Sequence, residues 1–115
     1  MPKEKFIEAY NLIKDSKRIL LATHESPDAD GIASMLAIFH WLESIRPGAA
    51  LLYSQDEIPE YLKFLPNTEK IQNQIPENEF DLLIGFDYGD FKRLGLDEWL
   101  KDQPQIKIIT FDHHP

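Results

Sequence analysis

Residues 80–86 read FDLLIGF, an almost wholly apolar run that is directly followed by Asp87. A short apolar run of this kind is typical of a strand that is buried on both faces of a parallel sheet. Two similar runs, at residues 18–23 and 106–111, also lead into acidic residues or histidines. In an open parallel sheet, ligands bind beyond the carboxyl ends of the strands. We therefore expect the three runs to deliver polar side chains to one crevice.

Helical segments separate these strands, since apolar residues recur at spacings of three and four between them. The predicted helices are at residues 3–16 and 31–45, with a short helix at residues 59–65 and another short helix around Trp99 within residues 94–101. The predicted strands are at residues 18–23, 49–53, 80–86 and 106–111, with a brief strand near residues 70–71. This alternation predicts the α/β class: an open parallel sheet of about four to five strands, with helices on both faces and right-handed crossovers.

The composition indicates one acidic, globular domain. The chain has 115 residues and a formal net charge of −8, from 12 Lys and Arg against 20 Asp and Glu. That charge argues against broad, non-specific binding to a nucleic-acid backbone. It does not exclude a phosphate substrate, because bound divalent cations would invert the local field. The absence of cysteine excludes disulfides, thiolate zinc sites and a cysteine nucleophile.

No segment has the character of a membrane span or of a secretory signal. The longest apolar stretch, around residues 35–42, is far too short to cross a bilayer. The first residues are charged and do not lead into an apolar segment of signal-peptide length. We expect a cytoplasmic protein with no membrane partner.

Residues of the type that bind metals follow each of the three main strands. Taken singly, each group has an ordinary structural explanation. An Asp before the second helix is a favoured N-cap, and an Asp near an Arg can form a local ion pair. We interpret His40, inside the second predicted helix, as a packing or surface residue. The three groups comprise His24, Asp28 and Asp30; Asp87, Asp90 and Arg93; and Asp112, His113 and His114.

Together, the three groups indicate a metal centre. Carboxylates and imidazoles in one crevice suit divalent first-row metals such as Mn, Fe or Zn. Such a set could hold two cations about 3.5–4 Å apart, which activate water and stabilise charge on a phosphoryl group. A carboxylate must then bridge the two ions, and Asp87, after a central strand, is the natural candidate.

The same residues resemble the first three motifs of the DHH phosphoesterase family. The opening motif matches from His24 through Ser34, the second motif runs from Asp87 to Arg93, and the third is residues 112–114. The family includes RecJ-type exonucleases, nanoRNase/pAp phosphatases, cyclic-dinucleotide phosphodiesterases and manganese-dependent pyrophosphatases. The resemblance implies a Rossmann-like domain with a two-metal site, usually for Mn²⁺, with Mg²⁺ as the alternative ion.

The resemblance also implies a role for each residue. His24 and Asp28 would hold one ion, Asp30 and His113 would hold the other, and Asp87 would bridge them. His114 would contact the scissile phosphate or assist the nucleophile, so His114 and Asp87 are the catalytic candidates. Asp112 would be a ligand or a supporting group, and Arg93 would contact substrate or order its loop through a salt bridge.

One departure from the family pattern concerns the domain organisation. The family continues with a fourth motif, which carries a further Asp ligand, and with a C-terminal substrate-binding domain. Residues 1–115 would then be a partial, truncated DHH domain with the first three motifs. We expect such a piece to bind metal weakly and to turn over slowly. The full-length protein is a candidate homodimer.

The expected function is metal-dependent hydrolysis of phosphodiester or phosphomonoester bonds in short oligonucleotides or small nucleotides. Two alternatives stay open at this point. A receiver-like signalling domain of the flavodoxin type would bind a single Mg²⁺. A non-catalytic α/β interaction module would use the acidic residues only as caps and turns, and would bind no metal.

Overall fold

The computed structural model describes residues 3–24, 29–75, 79–86 and 95–111. Nearly all of the predicted elements are present. The helices are α1 (Lys3–Asp15), α2 (Ala29–Ile45) and α3 (Asp97–Lys101). The strands are β1 (Ile19–Thr23), β2 (Ala50–Ser54), β3 (Ile71–Gln72), β4 (Leu82–Phe86) and β5 (Lys107–Phe111). Two short 3₁₀ turns, Glu60–Leu62 and Thr68–Lys70, connect β2 to β3.

The five strands form one parallel sheet in the order β3-β2-β1-β4-β5. The expected α/β class with an open parallel sheet is therefore confirmed. The chain builds outward from β1 to β2 and β3, and then crosses to the other side of β1 to form β4 and β5. The strand order thus reverses between β1 and β4. In sheets of this type, such a reversal opens a crevice at the carboxyl ends of the two strands.

Both faces of the sheet are covered by helices, as expected. One face packs against α1 and α2, and its core includes Ile19 and Leu21 of β1 together with Ile84 of β4. The opposite face carries Leu20 and the segment around α3. Successive strand residues point to opposite faces, so β1 and β4 are buried at every position. This double burial explains why they read as continuous apolar runs.

The last strand, β5, is not buried on both faces, although its sequence is also mostly apolar. Strand β5 pairs with β4, and it is the outermost strand of the described sheet on this side. Only Ile109 is buried, whereas Ile108 is 46% exposed. An edge strand lacks a neighbour on one side, so its apolar sequence does not lead to the same burial as in β1 and β4.

The predicted short helix at residues 59–65 is confirmed only in part. The chain forms only the 3₁₀ turn Glu60–Leu62 there, and Pro59 precedes that turn. The prolines at positions 59 and 66 leave too little chain between them for a longer helix. Helix α3 is the short helix around Trp99 that the sequence predicts within residues 94–101, whereas α2 begins two residues earlier than predicted.

The strand order bears on the receiver-like alternative. Flavodoxin-type domains, to which receivers belong, have the order 2-1-3-4-5. The order found here places β2 and β3 together on one side of β1, so the receiver-like interpretation is wrong. Among the described residues, none of the helices is both long and apolar enough to cross a membrane.

Candidate metal centre at the strand ends

The carboxyl ends of β1, β4 and β5 lie side by side in register. Thr23 pairs with Phe86, and Phe86 pairs with Phe111, so the last residues of the three strands form one row. Thr23 is fully buried, and its Oγ1 donates a hydrogen bond to the Phe86 carbonyl oxygen at 3.3 Å. The rings of Phe86 and Phe111 stack at a centroid distance of 5.6 Å. Side-chain contacts therefore reinforce the backbone pairing at the edge where the sequence predicts a site.

His24 lies at the centre of this edge. It directly follows β1, and it is only 2% exposed. Burial of a histidine at a strand end restricts the orientation of its ring more than a surface position would. An imidazole of this kind is a common nitrogen ligand for divalent metals. The predicted position of His24, next to the end of the first strand, is the position that the structure gives it.

Asp30 lies in the first turn of α2 and is exposed. Because α2 begins at Ala29, Asp30 is inside the helix and the alternative that it is the N-cap is wrong. A carboxylate in the first turn interacts favourably with the positive end of the helix dipole. His24 and Asp30 thus bring nitrogen and oxygen donors to the two ends of the segment that joins β1 to α2, and this donor set suits Mn²⁺ or a similar ion.

The other predicted site residues lie outside the described part of the chain. Within the described ranges, no group of three His, Asp or Glu side chains is arranged to hold a metal ion. The proposed ligand set therefore stays a prediction, supported by the placement of the strand ends. The residues outside the described ranges are Asp28, Asp87, Asp90, Arg93, Asp112, His113 and His114.

The structure shows a second feature of this edge that the sequence did not predict. Gly95 lies against the side chain of Gln55, which directly follows β2. A Cβ atom at Gly95 would fall 2.4 Å from Gln55 Oε1, and the φ of +69° at Gly95 also favours glycine. The chain that leaves β4 at Phe86 is thus next to the end of β2 when it reaches Gly95. Strand β1, with His24 at its end, lies between those two points.

The end of β2 is fixed by polar contacts. Asn73 Nδ2 donates hydrogen bonds to the carbonyl oxygens of Ser54 and Asp56, both at 3.0 Å. The Ser54 hydroxyl donates to the Asp56 carbonyl oxygen at 2.8 Å. Burial, together with the nearby Asp56 carboxylate, raises the pKa of Tyr53 above its ordinary value of 10.0. These contacts give the crevice an ordered flank on the β2 side.

Comparison with solved structures supports the fold. The chain is similar to the crystal structure of an exopolyphosphatase-related protein from Bacteroides fragilis, with a TM-score of 0.86 and 23% sequence identity. The match covers 98% of this chain but only 35% of that protein, so the chain spans about a third of its length. No curated protein sequence matches the chain.

The sequence itself assigns the family. The model of the N-terminal domain of the DHH family matches residues 18–115, which include all three groups of predicted ligands. The matched region also contains all five strands and the edge at which β1, β4 and β5 end together. By this match over most of its length, the chain belongs to the DHH family.

Proposed function

We propose that the protein is a metal-dependent phosphoesterase that hydrolyses phosphate ester bonds of short oligonucleotides or small nucleotides. One observation carries the proposal. The ends of β1, β4 and β5 are adjacent and in register at the point where the strand order reverses. Asp87 is bonded to the last residue of β4, and consecutive Cα atoms are about 3.8 Å apart. In the sequence, Asp87 follows Phe86 as His24 follows Thr23, and Thr23 and Phe86 are paired.

The donor set fits a pair of divalent cations. In this proposal, His24 and Asp28 would hold one ion, Asp30 and His113 would hold the other, and Asp87 would contribute its carboxylate to both. When bound, the ions supply activated water and neutralise charge on the phosphoryl group. We assign His114 to the scissile phosphate, Asp112 to the support of the site, and Arg93 to the substrate or to the order of its loop. The burial of His24 supports the set, because a buried imidazole is restricted in orientation.

Hydrolysis of bis(p-nitrophenyl) phosphate in the presence of Mn²⁺ tests the proposal. This substrate reports phosphodiesterase chemistry without requiring recognition of a base. We expect Asp87→Asn and His24→Asn each to lower the rate about 100-fold or more, because each change removes a ligand. A direct measurement of Mn²⁺ affinity should show a parallel loss.

Two control substitutions distinguish the loss of a metal ligand from a general effect of charge or stability. Asp102→Asn removes a carboxylate from the turn before β5, and His40→Asn removes an imidazole from the exposed side of α2. Both control variants should keep the original rate. The proposal is contradicted if Asp87→Asn retains full Mn²⁺-dependent activity, or if the unsubstituted protein has no activity that depends on a divalent cation.

A further inference from the structure

The end of β2 extends the row of strand ends on the side of β1 that faces away from β4. Ser54, the last residue of β2, pairs with Thr23, which in turn pairs with Phe86. Neighbouring strands of a sheet are about 4.8 Å apart. Gln55 directly follows Ser54, just as His24 directly follows Thr23. Gln55 and His24 therefore leave the sheet from adjacent, paired positions.

The side-chain amide of Gln55 lies on the backbone of Gly95. A Cβ atom at Gly95 would fall 2.6 Å from Gln55 Cδ and 3.1 Å from Gln55 Nε2, and closer still to Oε1. The amide thus occupies the space that the side chain of any other residue at position 95 would need. The amide group can rest there only because Gly95 has no side chain.

The backbone on both sides of this contact is anchored in the core. Leu96, which follows Gly95, is fully buried and packs in the same cluster as Tyr53 of β2. Ser54, which precedes Gln55, is also fully buried. Gln55 itself is exposed. Its amide is therefore accessible to a ligand and rests on an ordered surface, which lowers the entropy cost of ordering it when a ligand binds.

A neutral amide is compatible with both charges of a phosphate that is held by cations. Asp56 and Glu57 follow Gln55, so the next two side chains at this end of β2 are carboxylates, which repel a phosphate. A lysine at position 55 would instead repel the cations of the proposed metal centre. The NH₂ group of an amide donates hydrogen bonds and adds no net charge.

We propose that Gln55 is a phosphate-binding residue of the metal centre and that Gly95 positions its amide. Gln55 Nε2 donates a hydrogen bond to a non-bridging oxygen of the phosphoryl group at the strand ends, a role for which side-chain amides are suited. A side chain at position 95 would displace this donor. The inference rests on the proposed phosphoesterase function and deepens it, because it adds a residue from a fourth strand end, that of β2.

Calorimetric titration of the protein with inorganic phosphate, in the presence of Mn²⁺, tests the role of Gln55. We expect Gln55→Ala to weaken phosphate binding about tenfold or more, the loss expected for a hydrogen bond to a charged group. The affinity for Mn²⁺ alone should stay unchanged, since Gln55 is not a ligand of the ions in this proposal. Gln55→Glu keeps the size of the side chain but replaces the donor by an anion, so it should weaken phosphate binding at least as much.

Gly95→Ala tests the position of the amide without removing it. The added Cβ should push the flexible end of the Gln55 side chain aside and so weaken phosphate binding. In a Gln55→Ala background, the same change should weaken phosphate binding no further, because the amide is already absent. Effects that fail to add in this way indicate two residues that act through one contact.

Two control variants match these substitutions. Gly48, in the turn before β2, has a φ of +84°, and apart from its chain neighbours no atom of the described residues lies within 4 Å of its Cβ position. Gly48→Ala therefore introduces a backbone strain like that of Gly95→Ala, and it should lower Tm but keep the phosphate affinity. Gln105 is an exposed glutamine just before β5, at the opposite end of the sheet. Gln105→Ala should also keep the phosphate affinity.

Several outcomes would overturn the role of Gln55. These are an unchanged phosphate affinity in Gln55→Ala, a loss of Mn²⁺ affinity in that variant as large as its loss of phosphate affinity, or equal losses of phosphate affinity in Gly48→Ala and Gly95→Ala. Full addition of the two effects in the double variant would overturn the positioning by Gly95.

Hydrolysis of bis(p-nitrophenyl) phosphate by the unsubstituted protein reports separately on the proposed function. A protein that hydrolyses this substrate with Mn²⁺ but fails the tests of Gln55 keeps the proposed function and loses only this inference. A protein without hydrolysis that depends on a divalent cation loses both.

Discussion

At the scale of single residues, burial decides the chemistry of the strand ends. Tyr53 and His24 both lie at the carboxyl edge of the sheet, and both are largely withdrawn from solvent. For Tyr53, loss of solvent disfavours the phenolate, and the Asp56 carboxylate adds to this effect, so the tyrosine pKa is raised. The same edge thus holds a neutral phenol next to a region where carboxylates and imidazoles are expected.

The raised pKa of Tyr53 predicts a loss of stability at alkaline pH. The folded protein keeps the Tyr53 proton at a pH where the unfolded chain releases it. The stabilisation from this group is complete below the ordinary pKa of 10.0 and is lost as the pH rises through the folded pKa. We expect Tyr53→Phe to reduce the decline in the free energy of unfolding above pH 10, as measured by urea denaturation.

Tyr61→Phe is the control for this measurement, because it removes a hydroxyl from a largely exposed tyrosine. Above pH 10, the free energy of unfolding of this variant should decline with pH as steeply as that of the unsubstituted protein. An equally steep decline in Tyr53→Phe would show that Tyr53 does not cause the loss of stability at alkaline pH.

At the scale of elements, the ends of α1 and α2 are joined by one side chain. The Arg46 guanidinium, just after α2, donates hydrogen bonds to the carbonyl oxygens of Ser16 and Ile13. Carbonyl groups at the end of a helix lack partners within the helix and carry partial negative charge. Arg46 therefore caps α1 and fixes it beside α2 on one face of the sheet.

Removal of this contact should destabilise the fold. We expect Arg46→Ala to lower the free energy of unfolding by about 1.5–3 kcal/mol, the range for hydrogen bonds that involve a charged group. Arg18→Ala, which removes an exposed arginine before β1, should change it by less than about 0.5 kcal/mol. Urea denaturation at neutral pH measures both values, and equal losses in the two variants would contradict the role of Arg46.

The length of an element also depends on what surrounds it. Apolar spacing correctly predicts α1 and α2, because each buries one face against the sheet. The same reasoning overestimates the helix at residues 59–65, where the bracketing prolines limit the chain to a 3₁₀ turn.

At the scale of the whole molecule, metal binding should be coupled to folding. A native state that binds a cation is stabilised by about 2.7 kcal/mol when the free ion is at 100 times its dissociation constant. For a domain of this size, each kcal/mol raises Tm by about 4–8 °C. We therefore expect saturating Mn²⁺ to raise Tm by about 10–20 °C relative to EDTA, and His24→Asn to remove most of that increase.

This measurement also distinguishes the remaining alternative. A non-catalytic module, in which the acidic residues are only caps and turns, should show the same Tm in Mn²⁺ and in EDTA. His40→Asn, at an exposed position on α2, is the matched control and should keep the full increase. An unchanged Tm in the unsubstituted protein would contradict the metal centre.

The sequence alone determined the class of the fold and the type of ligand. Strands β1 and β4 could be recognised because burial on both faces requires an uninterrupted apolar run, and α1 and α2 because burial on one face requires helical spacing. The placement of histidine and carboxylate residues directly after apolar runs identified the candidate chemistry and matched the motifs of the DHH family. These are local patterns, and a linear chain displays them directly.

Only the tertiary structure decided which strand ends are neighbours. The place of β4 beside β1 in the order β3-β2-β1-β4-β5 results from pairing between residues more than sixty positions apart, as for Thr23 and Phe86. The same pairing leaves β5 at the edge of the described sheet, buries His24 and brings Gly95 against Gln55. No local pattern encodes these contacts, because they depend on how the faces of the whole sheet are covered and on which pairing buries the most apolar surface.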